Sequence, residues 1–174
     1  MYSENEADVF NPFLKHDNLE ALIIESGGLR KEIINQICQL ELPALKYLEL
    51  WLGRKDYGGT SSIEDIIPIL YGRFPKLKYL GLRNSEYTDD IVSEIIDSPI
   101  INNLIELDFS MGTLTDEGAE ALLNCPAIHQ LDTLDISENS LSDEMIEQLS
   151  AFKFEVINTG YQKHPEERYC TVAE

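Results

Sequence analysis

Positive charge is scarce in this sequence. Its 13 lysines and arginines stand against 32 aspartates and glutamates, a formal net charge of -19. Such a surface repels phosphate backbones and anionic lipid, so neither nucleic acid nor a membrane surface is an expected partner. Acidity of this kind also keeps an elongated chain in solution. Cysteine is sparse too. Cys38, Cys125 and Cys170 form no CxxC pair and fall at no metal-ligand spacing. An odd count behind a polar, acidic start (residues 1–6), with no basic-then-apolar signal profile, points to reduced thiols in a cytoplasm. Apolar runs are short, and none approaches the roughly 18 residues of a membrane span.

Chemistry is missing as well. The three histidines, His16, His129 and His164, sit near a terminus, in a turn and in the tail, none beside a plausible nucleophile. No phosphate-cradling glycine loop and no HExxH occurs. The residues therefore predict no catalysis, no cofactor and no metal. At 174 residues, one domain with a real core is expected.

What the sequence does have is a repeat. The pattern L-x-x-L-x-L reads Leu19-Leu22-Ile24, Leu45-Leu48-Leu50, Leu77-Leu80-Leu82, Leu104-Leu107-Phe109 and Leu131-Leu134-Ile136, in steps of 26, 32, 27 and 27 residues. Phe154 and Ile157 close the series weakly. A second apolar column follows at helical spacing: Ile33, Ile34, Ile37 and Cys38; Ile91, Val92, Ile95 and Ile96; Ala119, Leu122 and Leu123; Met145, Ile146 and Leu149. Thr88, Thr115 and Ser142, 27 residues apart and each followed by two acids, are placed to cap those helices.

That period, with a full helix per unit, is the period of a leucine-rich repeat. The expectation is an α/β leucine-rich-repeat solenoid over residues 19–159, with parallel strands on the concave side and helices on the convex side. Residues 1–18 form an N-terminal segment and residues 160–174 a tail. The second unit carries about five extra residues within 53–61, a Gly-rich polar loop at the strand's C-terminal edge. Asparagine fills the position after the strand only at Asn139; Gly27, Gly53, Ser85 and Gly112 stand there elsewhere. Without a side-chain ladder, the turn backbone needs other hydrogen-bond partners, and this edge is expected to be less regular.

Several segments carry a resemblance: Leu48-Glu49-Leu50-Trp51-Leu52-Gly53, Asp56-Tyr57-Gly58-Gly59, Leu80-Gly81-Leu82-Arg83-Asn84-Ser85, the stretch from Gly112 to Gly118, and the ending from Glu167 to Glu174. Together they resemble a bacterial family of ribonuclease-inhibitor-like leucine-rich-repeat proteins. The resemblance implies that horseshoe fold and carries no biochemical activity with it. Members of the family are usually longer at the N-terminus. Three readings of the start follow: Val9, Phe10, Phe13 and Leu14 cap the first unit, the edge pairs with another chain or with a second copy, or the sequence is a piece of a longer protein.

Function is expected on the concave face. Alternation along a strand sends the residues between the core leucines to that side. Tyr47, Trp51, Tyr79 and Arg83 form an aromatic–arginine neighbourhood on adjacent strands, with Tyr57 in the loop; such residues dominate binding energy at interfaces. The alternative for Trp51 and Tyr57 is that they pack the long loop against the sheet. Glu106, Asp108 and Asp135, with Glu49 toward the aromatics, form an acidic neighbourhood suited to a basic partner; the D-x-D-x-D-G calcium loop is absent. The expected function is a non-enzymatic module binding another protein through these nine residues. The alternative is a structural subunit or fragment assembling through its N-terminal edge. Cys38 and Cys125 are expected in the core, and Cys170 as the exposed thiol.

Overall fold

The computed structural model describes residues 15–151, 156–164 and 170. The proposed cap residues Val9, Phe10, Phe13 and Leu14, the closing Phe154, and most of the tail motif lie outside them. Six strands, β1 (Ala21–Ile24), β2 (Tyr47–Gly53), β3 (Tyr79–Ser85), β4 (Glu106–Asp108), β5 (Thr133–Asp135) and β6 (Val156–Asn158), form one sheet in chain order. Every neighbouring pair is parallel. Helices α1 (Lys31–Gln39), α2 (Ile63–Leu70), α3 (Thr88–Ile95), α4 (Asp116–Leu123) and α5 (Asp143–Ser150) fall between consecutive strands. The α/β class read from the sequence, with parallel strands and alternating helices, is the one the chain adopts.

The sequence period is the pairing register. Leu22, Leu48, Leu80, Leu107, Leu134 and Ile157 are consecutive cross-strand partners. A shift of one residue would turn every leucine to the other face, so burial fixes the register. Leu48, Leu50, Leu80, Leu82 and Leu134 are fully buried in one cluster with Ile34, Ile37, Ile66, Ile91, Val92, Leu122 and Leu149 from the helices. The first unit differs: Leu19, Leu22 and Ile24 are only partly buried.

The helix starts depart from expectation. Only Ser142 caps as predicted, accepting from the Met145 N–H at 3.1 Å. Thr88 is already the first residue of α3, and its hydroxyl donates to the Ser85 carbonyl. Thr115 stands at the N-cap of α4 without a side-chain cap bond. The acids following Thr88 and Thr115 instead tie one unit to the next. Asp89 accepts from the Thr115 N–H and hydroxyl, and Asp116 from the Ser142 N–H. A carboxylate at a helix start still favours the local positive potential, so both uses reinforce each other. At the other end of a helix, Arg73 donates to the carbonyls of Cys38 and Leu40 that close α1.

The loop after β2 folds back over the turn of the first unit. Arg54 N–H donates to the Gly27 carbonyl and Thr60 N–H to the Leu29 carbonyl. The two backbones touch: a Cβ on Gly28 would lie 2.4 Å from the Tyr57 carbonyl oxygen. Gly28 and Gly59 are therefore close-approach glycines.

The edge without an asparagine ladder finds other partners, as the backbone requires. The Asn139 amide donates to the carbonyls of Phe109, Ile136 and Ser137 and accepts from the Leu114 N–H. One unit earlier, hydroxyls do this work: Thr113 donates to the Ser85 carbonyl, and Thr88 accepts from the Thr113 N–H. Lys163, at the start of the tail, meets this edge. Lys163 N–H donates to the Asn139 carbonyl, and the buried Lys163 ammonium to the Gly112 carbonyl at 3.2 Å. Cys170 contradicts its assignment as the exposed thiol: it is 0% exposed, and burial pushes its pKa up to about 12. Cys125 is buried, whereas Cys38 is only half-buried.

Candidate functional site

The helices cover one face of the sheet, and the residues between the buried leucines form the other, open face. Three rows cross the strands by register: Tyr47, Tyr79, Glu106 and Thr133; Ile23, Glu49, Gly81, Asp108 and Asp135; and Trp51 beside Arg83.

Glu49 is the centre of this face and only 5% exposed. One carboxylate oxygen accepts from the Tyr47 hydroxyl at 2.7 Å and the Tyr79 hydroxyl at 3.2 Å. The other accepts from the Trp51 indole N–H at 2.7 Å and Arg83 Nη1 at 3.0 Å. Four donors from two adjacent strands thus converge on one side chain. The Tyr47 and Tyr79 rings stack face to face, and the Arg83 guanidinium lies 4.9 Å from the Trp51 ring centre.

Asp108 extends the network. It accepts from the Ser110 N–H at 2.8 Å and the Tyr79 hydroxyl at 3.1 Å, and pairs with Arg83 Nε at 3.3 Å. Arg83 also donates to the Ser110 hydroxyl and the Met111 sulfur. Of the expected acidic neighbourhood, Glu49 and Asp108 are therefore joined to the aromatics and Arg83 in one connected system. Gly81 makes this arrangement sterically feasible. A Cβ there would stand 2.9 Å from the Tyr79 hydroxyl and 3.1 Å from Glu49 Cγ.

Burial pushes both carboxylates upward, yet their net shifts are opposite. Burial alone would raise Glu49, but hydrogen bonds from Trp51, Tyr47 and Arg83 hold it below its ordinary 4.5. For Asp108, burial outweighs the Ser110 hydrogen bonds and the Arg83 charge, and its pKa lies above the ordinary 3.8. Burial also raises Tyr79 strongly, so its phenol stays protonated. Arg83 is lowered by burial but raised more by Asp108 and Glu49, and keeps its charge.

The remaining predicted residues lie at the margins. Glu106 is exposed at the start of β4. Asp135 is tied to neutral donors, the Ser137 N–H and hydroxyl and the Asn158 amide. Tyr57 is 59% exposed on a 3-10 turn, so it does not pack the loop onto the sheet. Trp51 is held by Glu49 and lies against the Arg83 guanidinium. Sequence reasoning missed Met111, whose left-handed backbone (φ 64°) sits 27 residues after Asn84 and before Glu138, both left-handed too. The shared spacing was the available signal. Among the described residues, no three acidic, histidine or cysteine side chains gather as a metal would require, and no helix is long and apolar enough to cross a membrane.

No protein-family model matches the chain, and no curated protein matches it. It is similar to the crystal structure of a Bacteroides fragilis protein determined as a structural-genomics target. The TM-score is 0.84 at 32% sequence identity, over 89% of this chain and 45% of that one. The chain spans less than half the length of this neighbour.

Proposed function

We propose that the chain is a ribonuclease-inhibitor-like leucine-rich-repeat module that binds another protein through the concave face of its sheet, without catalysing a reaction. The bacterial neighbour and the in-order parallel sheet support the fold part of this reading. The observation that carries the binding part is the Glu49 network. It holds Tyr47, Trp51, Tyr79 and Arg83 in fixed, half-buried positions before any partner arrives. Groups ordered in advance lose little freedom on association, which is what interface anchors need. The exposed Tyr57 and Glu106 then supply the rim. Free thiols at Cys38, Cys125 and Cys170 suit a reducing cytoplasm.

Alanine at Tyr47, Trp51 and Tyr79 together tests the reading. The variant is expected to fold, by circular dichroism, and to lose a partner that the parent chain captures. Unchanged capture would remove the face from consideration.

One observation favours a second reading, assembly through the N-terminal edge. The β1 side chain Ile23 is 53% exposed, and Leu19, Leu22 and Ile24 lack the full burial of their counterparts Leu45, Leu48 and Leu50. Molar mass in solution separates the two: a monomer speaks against self-association through β1.

A further inference from the structure

Charge on the open face is unbalanced. Its strands carry the carboxylates of Glu49, Glu106, Asp108 and Asp135 and a single guanidinium, Arg83. Arg83 is fully engaged by Glu49, Asp108, Ser110, Met111 and the Trp51 ring. It has nothing left to offer the outer acids. Glu106 takes part in no ion pair among the described residues, and Asp135 receives only neutral donors. Glu106 is the register neighbour of Tyr79 in the Tyr47–Tyr79 stack, an electron-rich surface, and Asp135 lies one strand further on, beside Asp108.

A partner that leaves these acids in place must bring cations. A second copy of this chain, a phosphate backbone or an anionic lipid would bring more negative charge to a protein that already carries -19. We infer that the occupant of the open face is an extended, lysine- or arginine-rich segment of a partner protein, its cationic groups set between the tyrosine stack and the carboxylates of Glu106 and Asp135. This rests on the reading of the open face as the binding surface and names the chemistry of what it binds.

Trp51 is the chain's sole tryptophan and lies within the face, so it reports occupancy directly. Oligo-lysine added to the full chain at low ionic strength is expected to shift Trp51 emission saturably, whereas oligo-glutamate leaves it unmoved. Neutralising Glu106→Gln with Asp135→Asn should weaken the oligo-lysine response roughly fivefold, two solvent-screened charge pairs being removed. Neutralising Glu120→Gln with Glu147→Gln, exposed on helices α4 and α5, should leave it unchanged. Three results would overturn the inference: no binding by labelled-peptide anisotropy, binding with a silent Trp51, or equal weakening by the helical pair. Loss of partner capture on alanine substitution at Tyr47, Trp51 and Tyr79 would still stand in each of those cases, which separates failure of the cationic assignment from failure of the binding face.

Discussion

The rings of Tyr47 and Tyr79 lie 3.8 Å apart, centre to centre, with their planes 1° from parallel. Parallel strands place identical positions of successive units side by side, so an aromatic at the same repeat position on β2 and β3 stacks on itself. Face-to-face stacking opposes like quadrupoles and is not the preferred aromatic geometry. Here both hydroxyls reach the same Glu49 oxygen, which holds the rings in place.

Gly81→Ala should break this arrangement. The new Cβ would lie 2.9 Å from the Tyr79 hydroxyl, so the ring must leave the stack or the strand must move. A loss of about 1–3 kcal/mol is expected, seen as a fall in Tm of roughly 3–10 °C with a changed near-ultraviolet tyrosine signal. A variant with the parent's spectrum and Tm would show that the space is not needed.

The two buried carboxylates predict opposite effects on acid stability. Glu49 titrates below 4.5 in the fold, so it contributes stability above that pH that is lost as pH falls through its lowered value. Asp108 titrates above 3.8, so its contribution is present at low pH and is lost as pH rises through its raised value. Glu49→Gln should therefore lower stability near pH 7 and flatten the decline in acid. Asp108→Asn should cost little near pH 7 and leave the acid decline steep. Denaturant unfolding across this pH range checks both; identical profiles for the two variants would contradict the assignment.

Arg73→Ala should destabilise by about 1–3 kcal/mol. It leaves the Cys38 and Leu40 carbonyls at the end of α1 without their charged donor. Arg73→Lys should recover only part of this, because one ammonium does not reproduce the planar fork. Full stability of the alanine variant in urea unfolding would rule the contact out as a cap.

Thiol labelling tests the tail. Burial leaves Cys170 inaccessible and raises its pKa to about 12, while the half-buried Cys38 lies at about 11. Cys170 should be modified only when the chain unfolds, with Cys38 the first thiol to react in the folded state. Prompt labelling of Cys170 in native buffer would contradict the tail's placement.

The fold was legible where burial dictates periodicity. Leucines recurring at steps of 26, 32, 27 and 27 residues admit one parallel register, and the open-face residues follow from alternation. Connections through space were less legible. Asp89 and Asp116 looked like helix-dipole acids, because a sequence cannot show that the next unit's backbone N–H stands within reach. Gly81 carries no signal of its own in the sequence, because its meaning depends on the Tyr79 hydroxyl lying over it. Cys170 looked exposed because nothing in the tail's composition marks it as a buried position.

The claim that the open face is the partner's docking surface has one direct test. A photo-crosslinking residue is placed by Glu106→p-benzoylphenylalanine on the face, and separately by Glu120→p-benzoylphenylalanine on α4, and cells expressing each variant are irradiated. The account predicts a discrete adduct to another protein from position 106 and none from position 120. An adduct from 120 alone would contradict it.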